Sequence, residues 1–399
     1  MRKYGITLMA GLALLAIAST ASAQTNVILR ITGSTAYRTV VHNAIVAMIT
    51  PGSLKYGYAG TKLGSAGFAE FTGALVSSPN TTVDVKTVWS GSVDGLQRII
   101  NQGNPSFQVT TWQASSSLSS TGTPNLAAGS EVAYADVAMS DVFQNSTIFQ
   151  NPTIPNDVVV GVIPFEWCRN NGSPTTMTNM TSLLAQQILS AGALTLKCWT
   201  GNTSDDSTLV RVVGRNFDSG TRVTTFAETG FGVGSPPNQS VVLANASGVI
   251  TNVAAYPAET LLGQSFAAGQ SGYSSGGLVA GALNASGSNG GLNTGNKGWL
   301  VGYAGVSDAS SVTNGTAGVM TYNGVAYSPT AVENGQYTFW GYEHQFYNNN
   351  LSANTLTVLN ALQTTLSTTD PTPSGGIALS AMTVGRTQEG APVSDGRAF

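Results

Sequence analysis

The sequence predicts an α/β protein of two lobes, with a ligand cleft formed at the carboxyl ends of its strands. Strand-like runs and helical patterns alternate along the chain. Three times in the first 141 residues such a run delivers a loop of Gly, Ser, Thr or Asp, which is how open α/β sheets build clefts. Beyond the first 23 of 399 residues, 376 remain, too many for one ordinary core.

The N-terminus reads as a processing signal. Arg2 and Lys3, an apolar run from Ile6 to Ala18, and Ala21-Ser22-Ala23 form the three-part pattern of a secretory signal peptide over residues 1–23, with cleavage before Gln24. No Cys lies near that point, so no lipid anchor is expected there. No later segment approaches the roughly 20 apolar residues of a spanning helix. The expectation is a soluble, non-spanning protein, periplasmic or secreted.

Composition excludes several functions. With two of the 16 basic residues in the signal, the mature chain would carry 14 basic against 19 acidic residues. That balance argues against nucleic acid, whose binders present a basic face. Charged residues are 9% of the chain, against about 25% in typical domains, and Gly, Ser, Thr and Asn fill the gap. The hydrophobic share of 42% still suffices for a packed core. Cys168 and Cys198 could pair, closing a loop of about 30 residues worth about 3 kcal/mol, or stay as two separate thiols. With two His and two Cys, neither a transition-metal site nor a cofactor is expected.

In chain order, Asn26 to Thr32 is a strand by its β-branched content, and Gly33-Ser34-Thr35 ends it. Tyr37 to Ile49 is a helix, with Val40, Val41, Ile45 and Ile49 at helical spacing and Pro51 beyond. Residues 52–80 show little periodicity. Val83 to Trp89 alternates as a strand and leads into Ser90-Gly91-Ser92-Val93-Asp94-Gly95 and a helix carrying Leu96, Ile99 and Ile100. A polar stretch from 101 to 129 reads as loops with at most one hairpin, and Val132 to Met139 as a strand ending at Ser140-Asp141. Val158 to Phe165 is an apolar run suited to a strand buried on both faces. Helices are expected at Met180 to Leu194, Arg222 to Glu228, Gly276 to Asn284 and Leu351 to Leu366. Strands are expected at 208–213, 299–306 and 337–347. The tail after Thr369 reads as poorly ordered.

One stretch carries the chemistry. The strand at 208–213 runs into Arg215-Asn216-Phe217-Asp218-Ser219-Gly220-Thr221 and a short helix. Gly220 lets the backbone come close, and hydroxyls and free N–H groups at a helix start suit an oxyanion. Arg215 adds a planar two-pronged donor.

Taken together, Gly33-Ser34-Thr35, Ser90-Gly91-Ser92 with Gly95, Ser140-Asp141 and Arg215-…-Ser219-Gly220-Thr221 resemble, in order and context, the substrate-binding proteins of bacterial phosphate importers. The V-V-G-V-I-P-F strand, the Lys-x-Trp at 197–199, Gly302-Tyr303 and Glu333-Asn334-Gly335-x-Tyr337 agree with that resemblance. It covers most of the mature chain, interrupted near 52–80, 101–130 and 230–270. The resemblance implies a type II periplasmic binding protein fold, with the ligand held between lobes joined by two crossover strands. Lobe one would be 24–160 with 336–399, and lobe two 161–335. It implies that Ser34, Thr35 and the Ala36 N–H, with Ser92, hold phosphate oxygens from one lobe. Asp141 would accept the ligand's proton, and Arg215, Ser219, Gly220 and Thr221 would complete the cage. It further implies a monomer without enzymatic activity, delivering phosphate to an inner-membrane ABC permease.

Two positions depart from the family. Its usual acidic residue two places after the Arg is Phe217 here, with Asp218 one place later. Asp94 stands where Gly is frequent, bringing an extra carboxylate near an anion site unless it serves a helix start. The alternative role is an exported surface or structural protein on the same fold, its anion site modified or lost. Gly272-Tyr273-Ser274-Ser275-Gly276 matches the G-x-S-x-G pattern of serine hydrolases. No strand leads straight into it, and His42 and His344, the only bases, lie in helix and strand patterns.

Overall fold

The computed structural model describes residues 25–113, 117–285, 298–312 and 318–396. The expected signal peptide, 1–23, lies outside them. The first part of the chain runs β1 (Thr25–Gly33), α1 (Arg38–Met48), β2 (Lys55–Tyr58), β3 (Phe68–Ala74), β4 (Thr81–Val88), α2 (Ser92–Ile100), β5 (Val109–Trp112), β6 (Glu131–Ala133) and β7 (Val137–Ser140). Next come β8 (Asn156–Arg169), β9 (Asn179–Met180), α3 (Ser182–Ala191), β10 (Ala193–Thr195), α4 (Lys197–Thr200), β11 (Leu209–Val213), α5 (Gly220–Glu228) and the hairpin strands β12 (Ser240–Ala244), β13 (Ile250–Ala255), β14 (Glu259–Leu261) and β15 (Gln264–Phe266). The chain continues through α6 (Gly276–Asn284), β16 (Gly298–Gly305), α7 (Val306–Ala309), β17 (Thr321–Tyr322), α8 (Pro329–Glu333), β18 (Trp340–Tyr347) and α9 (Ala353–Leu366).

Ten strands form one mixed sheet in the order β10-β11-β16-β8-β18-β7-β1-β4-β3-β2. Strand β1 runs parallel to β4 and β7, and β11 parallel to β16. The two halves meet at β8 and β18. Strand β8 pairs with β18 through Asn156–Pro164 and with β16 through Phe165–Arg169, so one strand carries the chain from the first half to the second. Strand β18 brings it back, antiparallel to both β8 and β7. Burial runs unbroken along β8 from Val160 to Arg169, as its continuous apolar sequence requires of a strand covered on both faces. The fold is therefore the expected α/β class, two-lobed with two crossover strands.

Helices α1 and α9 cover one side of the first half through Val40, Val41, Ile45, Leu359 and Leu362. Helix α2 packs Val93, Leu96 and Ile99 with Trp112 and Phe346. In the second half, α6 sets Val279 and Leu283 against Val213 and Leu300. No helix among the described residues is long and apolar enough to cross a membrane.

Several expectations are corrected. The stretch 52–80 contains β2 and β3. Its period was obscured by Glu70, a buried charged residue that stands opposite Lys86 on β4, whose ammonium pairs with Glu131 and with Asp84 (3.5 Å). The single strand expected at 132–139 is two: Asp136 turns the chain by accepting a hydrogen bond from Arg30 N (2.8 Å), so β6 pairs with β5 and β7 with β1. The polar stretch 230–270 forms two hairpins, β12–β13 and β14–β15. The tail, expected to be loose, is anchored. Arg386 lies 4.1 Å from the Trp340 ring centroid and donates to Glu228 Oε2 (3.0 Å) and Thr338 O (2.6 Å). Cys168 and Cys198 are not paired: the first is a buried free thiol and the second an exposed one.

Candidate anion-binding site

Four loops at strand ends converge on one buried cluster. The first follows β1, where Gly33 has φ +114° and an added Cβ would lie 2.0 Å from Met139 O. Only glycine allows β1 and β7 to close there, and Ser34 N donates to that same carbonyl (2.8 Å). Thr35 Oγ1 then lies within reach of Arg215 Nη2 (3.4 Å). Ala36 is half-buried in the same loop.

The second loop is held to the first by Gly91 N donating to Gly33 O (2.8 Å). Gly91 also has positive φ, +112°, and a Cβ on it would meet Asp218 O at 2.3 Å. Val93 N donates to Asp218 O (2.9 Å), so the Arg215 loop rests on the start of α2.

Asp141, just beyond β7, is 2% exposed. Its Oδ1 accepts from Ser92 Oγ, its Oδ2 from Thr221 Oγ1 (3.3 Å), and its own N donates to Ser92 Oγ (3.2 Å). Burial pushes this carboxyl up, opposed by the Ser92 hydrogen bond and then by the Arg215 charge.

Arg215, also 2% exposed, follows β11. Nε donates to Tyr273 O (3.1 Å), Nη2 to Ser274 O (3.1 Å), and Nη1 to Thr221 Oγ1 (3.4 Å). Burial lowers its pKa, with Asp141 and Asp308 opposing. The Thr221 hydroxyl links the two charges, accepting from Arg215 and donating to Asp141. The Arg215 contacts to Thr35 and Thr221 and the Thr221 contact to Asp141 are long for hydrogen bonds. An oxyanion among these groups would offer the donors shorter acceptors. Gly220 opens α5 directly against Asp141, where an added Cβ would lie 1.6 Å from Oδ1.

Of the residues singled out in the sequence, Thr35, Ser92, Asp141, Arg215, Gly220 and Thr221 meet in this cluster. Ser34 lies buried at its edge, its Oγ without a well-formed partner. Ser219 Oγ accepts from Arg222 N (3.3 Å) and caps α5. The two departures have separate explanations. Phe217 packs with Phe266 (4.6 Å between centroids) and Phe149 (5.9 Å), and the carbonyls of Tyr273 and Ser274 orient Arg215 instead. Asp94 is neutralised by Arg98 Nε (2.6 Å) one helical turn on. Asp218 takes no part in orienting Arg215; burial, then Asp94, pushes its carboxyl up to about 8.

The G-x-S-x-G match contributes backbone to this cluster. Ser274 supplies a carbonyl to Arg215, and Ser275 Oγ caps α6 by accepting from Leu278 N (3.3 Å). His42 Nε2 accepts from Trp89 Nε1 (2.9 Å) and its Nδ1 faces Leu63 O (2.9 Å), with burial holding its pKa near about 3. His344 Nδ1 faces Asp157 (2.7 Å). No group of three His, Cys, Asp or Glu suited to a metal occurs among the described residues. Sequence reasoning missed Tyr273, Ser274, Asp308 and Glu343, the last buried on β18 behind Asp141.

No protein-family model and no curated protein matches the chain. Among solved structures it is similar to a Clostridium perfringens protein crystallised with bound phosphate, at 14% identity and TM-score 0.48, covering 88% of this chain and 99% of that one. It is also similar to an ABC-type phosphate transport receptor from Vibrio cholerae (14% identity, TM-score 0.46, 88% and 99% covered). PstS from Borrelia burgdorferi is similar at 13% identity and TM-score 0.41, with 88% and 98% covered.

Proposed function

We propose that this chain is an exported, non-enzymatic solute-binding protein. It captures inorganic phosphate between lobes 24–160 with 336–399 and 161–335, closes by hinge motion, and delivers the anion to an inner-membrane ABC permease. The observation that carries the reading is the convergence of Asp141, Thr221 and Arg215 with Ser92 and Thr35 at strand ends from both halves of the sheet. A buried phosphate needs its oxygens filled by fixed donors with limited countercharge. The hydroxyls, Arg215 and the start of α5 offer that set. Asp141 is the filter: a protonated phosphate supplies the hydrogen this carboxylate needs, whereas sulfate faces it with unpaired like charge. Rejection by an unsatisfied buried polar group is worth orders of magnitude.

The test is calorimetric titration of purified protein, stripped of anion, with phosphate, sulfate and arsenate, alongside Asp141→Asn and Arg215→Ala. Phosphate binding that excludes sulfate and is lost in Arg215→Ala is the expected result. Absence of heat and of any thermal shift with phosphate refutes the reading and favours a structural role on the same fold.

A further inference from the structure

Strand β18 carries a carboxylate for which the site has no evident use. Glu343 has no exposure, and neither of its oxygens has a well-formed hydrogen bond. The pairing of His344 with Ser140 puts Glu343 opposite Asp141 across the β18–β7 ladder, on the same face of the sheet. On its other side β18 pairs Glu343 with Gly161 of β8, which has no side chain. A Cβ there would stand 2.2 Å from Tyr37 Oη, so the Tyr37 phenol fills the gap. Ser34 Oγ adjoins the carboxyl without a well-formed bond. The titratable groups that face Glu343 are thus Asp141 from the end of β7 and Tyr37 from before α1, with Arg215 beyond Asp141; β8 contributes none.

A carboxylate sealed from water and opposite another carboxylate cannot keep its charge; it keeps its proton. Burial first and Asp141 second push Glu343 well above the usual carboxylate range, and burial then Glu343 raise the Tyr37 phenol. We propose that Glu343 is a specificity-determining partner of the anion site: as a neutral acid it donates its proton in a hydrogen bond to Asp141 and so holds Asp141 in its ionised, proton-accepting form. Asp141 then meets the ligand as an acceptor only. Without the donor behind it, Asp141 would gain a proton of its own, become a donor, and admit an unprotonated anion. The inference rests on the phosphate reading of the site.

The test titrates phosphate and sulfate into the wild type, Glu343→Leu and Glu343→Gln at pH 7. A hydrogen bond to a charged group is worth about tenfold or more in affinity. Glu343→Leu is expected to lose at least that factor for phosphate and to acquire sulfate binding. Glu343→Gln, which keeps a donor, is expected to restore both affinity and selectivity. A merely structural role would not move the sulfate-to-phosphate ratio. Wild-type phosphate affinity and sulfate rejection in Glu343→Leu overturn the proposal. A second readout needs no ligand: a carboxylic-acid C=O infrared band in the wild-type minus Glu343→Gln difference spectrum at pH 7, in which the other protonated carboxyls, Asp218 among them, cancel. Its absence overturns the proposal even where phosphate binds. If the wild type binds neither anion while the band is present, the phosphate reading of the site has failed rather than the protonation state of Glu343.

Discussion

Gly220→Ala isolates the closing of the site from the stability of the fold. Gly220 is the first residue of α5, outside the left-handed region, so alanine suits its backbone. In a helix, Ala over Gly contributes up to about 1 kcal/mol. The added methyl would stand 1.6 Å from Asp141 Oδ1 and 2.7 Å from Ser92 Oγ, separations no Cβ tolerates. Either Asp141 must leave its hydrogen bonds or α5 must retreat. Overpacking of this kind costs about 1–3 kcal/mol. At about 1.4 kcal/mol per decade, that weakens phosphate binding by about 5- to 150-fold. In the proposed hinge motion Gly220 and Asp141 belong to opposite lobes, so the penalty falls on the closed form and leaves the open one untouched. Calorimetry with phosphate, paired with a melt of ligand-free protein, separates the two effects. Wild-type phosphate affinity in the variant would refute the placement of Gly220 in the closed site. A large fall in the ligand-free melting temperature would show instead that the contact is permanent packing.

Further outcomes follow from the same buried charges. Arg215→Met leaves Asp141 buried without its cation, a loss of about 3–5 kcal/mol in denaturant unfolding. Adding Asp141→Asn should recover part of it, and strict additivity of the two changes would show that the charges are uncoupled. Burial pushes Asp218 up to about 8, and Glu166 and Glu389 to about 7. These groups keep protons in the folded chain that the unfolded chain releases near pH 4, so stability fully present below about pH 4 is lost progressively as pH rises from there through about 7 to 8, and levels off above. Melting temperatures should fall across that window, and Asp218→Asn should flatten the upper part; an unchanged slope in the variant would refute the assignment. Thiol titration should find one reactive group, Cys198, in native protein and two after denaturation, whereas a disulfide would give none in either state.

The loops were legible because their residue types are constrained by backbone geometry. Gly33 and Gly91 occupy conformations other residues avoid, and the Ser and Thr beside them mark strand-to-helix turns wherever they occur. Long strands and amphipathic helices were legible for the same local reason: α6 is found at the bounds its small residues suggested. What orients Arg215 was not legible, since the acceptors are the backbone carbonyls of Tyr273 and Ser274, which any residues could supply. Nor could the sequence show that Phe217 faces Phe266, which depends on packing between separate elements, whereas the Asp94–Arg98 pair lies within one helical turn of α2 and could have been found from its i,i+4 spacing.

Glu343 marks the boundary most clearly. Within Trp-Gly-Tyr-Glu-His-Gln-Phe it sits on the polar face of an alternating strand, which reads as solvent exposure. Its meaning comes from the register of β18 against β7, two strands about 200 residues apart, and a slip of one residue would turn Glu343 to the opposite face. A side chain's chemistry at this site is thus set less by its neighbours in sequence than by one hydrogen-bond ladder. On the proposed role of Glu343, the charge on Asp141 depends on that ladder as well as on Ser92 and Thr221, which touch it. Any substitution that shifts the β7–β18 register should therefore change which anion the cleft accepts before it unfolds the protein.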